Sequence, residues 1–274
     1  MMNAHRRNQE DYSYKRYQKL LIGSLGFLFF LSLFYIARGL PEIAFAEDAG
    51  YALEFDGTDD YVSLGDTGDL MLIETWPSEK TISLWVNPTN PSPPETPPAT
   101  GELILGVDRP RLFGITRAIY QGADQIFVWN VDLGGVDYIG IPITPGEWTQ
   151  ITMVHSSGVL YAYNNGELIG STASGPTYVP GGYIDGNLYL GGSGRSDPSL
   201  YFQGQIDEVR FWGTALDQAA IQDWQYSELT SSHPNWSDLS AYYKMTDGSG
   251  STLTDNLDNS NPGTLLGGMA DENW

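Results

Sequence analysis

Val159–Ser171 reads VLYAYNNGELIGS, two short runs of apolar and polar residues joined by Asn164-Asn165-Gly166. Asn and Gly tolerate the positive φ of a tight turn, so the segment predicts a β-hairpin with strands at Val159–Tyr163 and Glu167–Ser171. The same grammar recurs along the chain. Tyr51–Phe55, Tyr61–Leu64, Thr81–Val86, Glu102–Val107, Leu112–Tyr120, Gln125–Val131, Trp148–His155, Asn187–Leu190 and Gln205–Trp212 are short runs of strand-forming residues bounded by Gly, Pro, Asn or Asp. In Thr81–Val86, Ile82, Leu84 and Val86 alternate, which is the mark of a strand with one buried side. Only Asp217–Glu228 has helical spacing, with Ala220, Ile221 and Trp224 as an apolar stripe and Asp217 as N-cap. The reading is an all-β, antiparallel sandwich with one short helix. With 274 residues, 41% of them hydrophobic, such a sandwich can bury a sizeable core without disulfides, and the chain has no cysteine. A thiolate metal site and cysteine catalysis are thereby excluded.

Two stretches interrupt the pattern. Asn87–Gly101 holds six prolines, a density that cannot donate to a strand ladder, and reads as a long surface loop. At the N-terminus, Arg6, Arg7, Lys15, Arg16 and Lys19 precede an uncharged apolar run, Leu20–Ala37, which ends at Arg38. Basic residues before an apolar run are an export signal, with the N-terminus inside and the following domain outside. Ala44-Phe45-Ala46 has the small-x-small form of a cleavage site, whereas a run of this length approaches a membrane span. Residues 1–46 are therefore expected to act as signal peptide or signal anchor, and 47–274 as the sandwich. The folded part would lie outside the cytoplasmic membrane: periplasmic, secreted or at the cell surface, either anchored by residues 20–37 or released after Ala46. The N-terminal 46 residues take six of the 13 basic and three of the 34 acidic side chains, leaving 7 against 31 in the rest. So acidic a surface repels nucleic acid, which is expected to be no partner.

The order of segments resembles the laminin-G-like domains of the concanavalin A-like lectin/glucanase superfamily. The resemblance is carried by ALEFDGTDDYVSLG at Ala52–Gly65, TISLWVNP at Thr81–Pro88, GEWTQITMVHSSGVLYAYNNGELIGS at Gly146–Ser171, LYLGGS at Leu188–Ser193 and YFQGQIDEVRFWGTAL at Tyr201–Leu216. It implies an antiparallel jelly-roll. A sixth block, Leu239–Gly268, commonly stands before the first in that family but comes last here. Either Leu239–Trp274 completes a permuted sandwich, or it begins a second domain. The first is favoured because the tail alone has too little apolar surface to fold.

The resemblance also implies a structural Ca2+. Asp255 stands at the acidic position of the family loop D-x-x-G-N-G-N-x-G-T, here DNLDNSNPGT, with Asn259, Asn261, Gly263 and Thr264 retained and Leu257 and Asp258 as departures. Asp207 is the expected distant carboxylate and Asp56 a weaker candidate, an oxygen set that suits a hard cation. Sugar binding would use aromatic faces with polar groups beside them. Trp85, Trp148 and Trp212 fall in strand blocks and read as core or inter-sheet packing, while Trp76, Tyr178 and Tyr183 lie in loop-like stretches; the ligand-binding residues stay open. A glycosidase needs two carboxyl groups on one face, and Asp207 and Glu208 are neighbours that a regular strand points to opposite faces. His155 and His233 have no serine partner motif. The expectation is a non-catalytic extracytoplasmic binding or adhesion protein for a glycan or protein. The second reading is a membrane-anchored subunit that docks on other membrane proteins through Leu20–Ala37, where Gly23, Ser24, Gly26 and Ser32 allow close helix approach.

Overall fold

The computed structural model describes residues 52–66, 79–89, 93, 95–96, 98–107, 112–176, 187–193, 201–258 and 260–274. The expectations for residues 1–46, with the apolar run at Leu20–Ala37, lie outside these, as do Trp76, Tyr178, Tyr183 and Asn259. Among the described residues no helix is long and apolar enough to cross a membrane.

The described strands are β1 (Leu53–Asp56), β2 (Tyr61–Asp66), β3 (Lys80–Pro88), β4 (Glu102–Val107), β5 (Phe113–Tyr120), β6 (Ala123–Asp132), β7 (Gly135–Pro142), β8 (Thr149–Ser156), β9 (Val159–Asn164), β10 (Glu167–Ala173), β11 (Asn187–Leu190), β12 (Gln203–Trp212), β13 (Leu239–Tyr243), β14 (Thr252–Leu253) and β15 (Gly263–Leu266). One helix, α1 (Gln218–Trp224), joins them. The strands make two antiparallel sheets packed face to face. One runs β1-β12-β3-β8-β9-β10, with β13 also on β12; the other runs β14-β15-β2-β11-β4-β5-β6-β7. This is an all-β sandwich with one helix.

Alternation supplies the core. Ile82, Leu84 and Val86 of β3 point inward, as expected, and meet Val62, Leu105, Ile115, Val128 and Leu190 of the opposite sheet. The β9–β10 hairpin forms as its turn residues demand, with Asn165 at φ 49 and Gly166 at φ 76. A Cβ on Gly166 would lie 2.8 Å from Gln222 Cγ, so glycine here serves both the turn and the approach of α1. The segment after β12 closes a second apolar cluster on the outer face of the seven-stranded sheet, with Val154, Tyr163, Trp212, Ile221, Leu229 and Tyr242.

Several expectations change. Gly135–Pro142, which is not among the strands read from the sequence, is a strand that pairs with β6 over its whole length; its outward Val136 and Tyr138 are 46% and 40% exposed. With so little burial and two glycines, it carries a weak strand signal. Trp85 and Trp212 are buried but lie on the outer face of their sheet, in the rows that alternate with the core residues, rather than between the sheets. The Pro-rich stretch is partly built into the fold. Asn87 and Pro88 extend β3, Glu95 bridges Ile119, the Thr96 N–H donates to the Ile119 carbonyl at 3.0 Å, and Ala99 packs on Ala118, Phe127 and Trp129. α1 stops at Trp224, short of Glu228.

Candidate functional site

The carboxylates of β12 meet at a β-bulge. Asp207 stands opposite Trp85 and Arg210 opposite Ser83, so Glu208 and Val209 of β12 together face the single Leu84 of β3, and Glu208 takes the positive φ of 53. Ile206, Val209 and Phe211 keep the core positions. The extra residue puts Asp207 and Glu208 together on the outer side, which corrects the expectation of opposite faces. Glu208 is tied to its neighbours there. Its Oε2 accepts from Arg210 Nε at 3.0 Å and from the Tyr242 hydroxyl at 2.6 Å, and it pairs with Arg210 Nη2. Burial pushes the Tyr242 phenol above its ordinary range, so it stays a donor. Arg210 also donates to the carbonyls of Trp224 (3.0 Å) and Ser227 (2.9 Å), and Trp85 Nε1 donates to that of Gln225 (3.2 Å). These bonds satisfy the carbonyls at and beyond the C-terminal end of α1. Asp207 remains half-buried, with its Oδ1 accepting from the Glu208 N–H at 2.8 Å. Burial, then the charge of Glu208, raises its pKa to about 7.

Among the described residues, Asp56, Asp207 and Asp255 do not come together as one group of carboxylates. Asp255 is 1% exposed; its Oδ1 accepts from the N–H groups of Tyr242 and Leu257, both at 3.1 Å, and its Oδ2 has no hydrogen-bond partner. A buried carboxylate oxygen left without a donor fits a cation. In the residues that follow, Asn256 Oδ1 accepts from the Lys244 N–H and the Asn261 carbonyl from the Tyr243 hydroxyl. Asp56 belongs to a different group. One carboxylate oxygen each from Asp56, Asp59 and Asp60 lie within 4.8 Å of one another, and neither Asp207 nor Asp255 joins them. Asp56 Oδ1 accepts from the Thr58 and Asp59 N–H groups, which fixes the turn. Asp60 is 5% exposed, and its Oδ2 accepts from the Asp56 N–H and from Asn273 Nδ2, both at 3.1 Å. Burial, helped by the charges of Asp56 and Asp59, lifts its pKa to about 6. Asp59 and Asp60 lie in the same FDGTDDYV block, from which the sequence reading takes only Asp56; their closeness to it comes from the turn, which spacing alone does not show.

His155 and His233 have structural partners. His155 Nε2 lies 3.0 Å from the Ser174 carbonyl, and His233 Nδ1 accepts from the Asn235 N–H at 3.0 Å.

A family model, that of the laminin-G-type domains of the concanavalin A-like lectin/glucanases superfamily, matches residues 56–222. The chain belongs to this superfamily. Solved members of the fold include a Bacteroides ovatus protein provisionally described as carbohydrate-binding, 19% identical with a TM-score of 0.58, the match covering 79% of this chain and 58% of that one. This lectin-like chain thus spans little more than half the length of that protein. Domain 4 of AbnA, an extracellular arabinanase of Geobacillus stearothermophilus solved with arabinotriose, is 21% identical (TM-score 0.47; 66% and 78% covered). The CBM40 of the Ruminococcus gnavus IT-sialidase, solved with α2,3-sialyllactose, is 15% identical (TM-score 0.47; 64% and 96% covered). At these identities the likeness is one of fold. No curated protein matches the chain.

Proposed function

We propose that this chain is a non-catalytic, glycan-binding lectin-like protein that works outside the cytoplasmic membrane, delivered or held there by Leu20–Ala37. The observation that carries the reading is the superfamily match over residues 56–222, joined to a fold shared with a protein described as carbohydrate-binding. Against acid–base chemistry at β12 speaks the commitment of Glu208 to Arg210 and Tyr242, which leaves Asp207 without a second free carboxylate. We further propose a structural Ca2+ held by Asp255 and the oxygens of its loop, where it would supply charge to the buried Oδ2 and stiffen the turn. The location rests on the basic residues that precede the apolar run.

A glycan array probed with the full-length protein in detergent tests the function. Saturable binding to one glycan class, with the glycan recovered uncleaved, is the expected result; no bound glycan, or cleavage, would overturn it. Thermal unfolding in calcium and in chelator tests the metal. Calcium near a hundred times its dissociation constant stabilises by about 2.7 kcal/mol, a rise of roughly 5–10 °C for a domain of this size. Asp255→Asn should lose that rise; an equal rise in the variant would place the ion elsewhere, with Asp56, Asp59 and Asp60 as the next group to change.

A further inference from the structure

Between α1 and the outer face of the seven-stranded sheet lies a cavity of about 10 Å³, the space open to the centre of a water molecule. Gln150 and Thr152 of β8, Trp212 of β12 and His233 line it, beside Arg210. Each of the first four brings a buried polar atom without a hydrogen-bond partner: Gln150 Oε1, Thr152 Oγ1, Trp212 Nε1 and His233 Nε2. Four such atoms on residues that line one space point to a shared partner, since each orphaned polar group costs about 1–3 kcal/mol. Their chemistry is also complementary. His233 Nδ1 accepts from the Asn235 N–H, which leaves the proton of the neutral ring on Nε2. Burial, and then the charge of Arg210, hold the His233 pKa below the usual range, in keeping with a neutral ring. The cavity is thus offered two N–H donors, from His233 and Trp212, one carbonyl acceptor from Gln150, and a Thr152 hydroxyl that can accept.

We infer that this cavity is a hydration site built for one ordered water, which accepts from His233 and Trp212 and donates to Gln150 and Thr152. A water needs two to four polar partners and about one probe sphere of space, and this site supplies both. A cation is disfavoured by the adjacent guanidinium and the two N–H groups. An anion is disfavoured by the amide oxygen and by Glu208, whose carboxylate already balances Arg210. The water would then be the polar link between β8 and the segment that carries His233, at the point where the ring of His233 also lies against Trp212 and Trp224, with centroids 5.8 and 5.0 Å away.

A crystal structure at high resolution, grown with sodium bromide, tests the site directly. A full-occupancy water peak with no anomalous signal is the expected result. A bromide peak would overturn the inference in favour of an anion site, and an empty cavity would overturn it in favour of a dry one. In solution, oxygen-17 relaxation dispersion on the full-length protein should count one fewer long-lived water in Thr152→Val than in wild type, with a melting point lower by several degrees. Trp212→Phe, which keeps a ring but removes the donor, should lose the same water. An unchanged water count in both folded variants would overturn the inference.

Discussion

Glu102 stands opposite Arg117 on β4 and β5, and both are inside the protein, 8% and 0% exposed. The guanidinium is already claimed: Nε and Nη2 bind the two oxygens of Asp124 at 3.1 and 2.7 Å, and Nη1 donates to the Thr89 carbonyl at 2.8 Å. Glu102 Oε2 is left 3.6 Å from Nη1, an ion pair without a hydrogen bond. Burial therefore outweighs the attraction of Arg117, and the pKa of Glu102 rises to about 7. The sign follows from linkage. A carboxyl with a raised folded pKa favours the folded state below its unfolded value of 4.5, and that contribution is lost as pH rises through about 7. Glu102→Gln should therefore be more stable than wild type at pH 8, by about 1–3 kcal/mol, with the gain gone at pH 4. Urea unfolding of both proteins at the two pH values checks this; stabilities that run parallel with pH would show that Glu102 ionises freely. The strand at Glu102–Val107 was legible in the sequence. The burial of its charged first residue was not, because Arg117 and Asp124 reach it through cross-strand register, which residue order does not display.

At the scale of elements, β12 and α1 explain each other. Asp217 was legible as an N-cap, and its side chain does accept from the Ala220 N–H at 2.8 Å. The end of the helix was not legible, because what stops it lies elsewhere: Arg210 and Trp85 take the carbonyls of Trp224, Gln225 and Ser227. The bulge left a mark in the sequence, since the adjacent Asp207 and Glu208 break the alternation between Ile206 and Val209, but only pairing with β3 shows that the strand stays continuous through the extra residue. This geometry has an energetic consequence. Arg210 is 3% exposed and neutralises the partly buried Glu208, so Arg210→Ala leaves that carboxylate with the Tyr242 hydroxyl but no countercharge and should cost about 3 kcal/mol. The pair Glu208→Gln with Arg210→Met removes both charges and should regain most of that loss. Chemical denaturation of the single and double variants separates this from a simple loss of packing, which would leave the double variant no better than the single one.

Across the whole molecule, the segment that begins at Leu239 is spread over both layers. β13 lies beside β12 in one sheet, on the edge that β1 occupies further along, while β14 and β15 extend the other sheet from β2. Tyr243, Met245, Leu253, Leu265 and Met269 enter the common core. Near the end of the segment, Asn273 Nδ2 binds the Glu54 carbonyl and Asp60, and Trp274 Nε1 binds the Gly250 carbonyl. The family match stops at residue 222, so this part of the sandwich could be read from the sequence only as a displaced block with two possible fates. Magnitudes decide what its loss would do. Five buried apolar side chains contribute about 1.5–3 kcal/mol each, a sum comparable to the roughly 5–15 kcal/mol of net stability of a whole domain. Removing them also opens the β2 and β12 edges and leaves the facing core residues in water. Deletion of Leu239–Trp274 should therefore abolish the cooperative transition in differential scanning calorimetry and leave a chain that binds a hydrophobic dye. A deletion protein that still melts in one sharp transition near the wild-type temperature would show that residues before Leu239 fold alone.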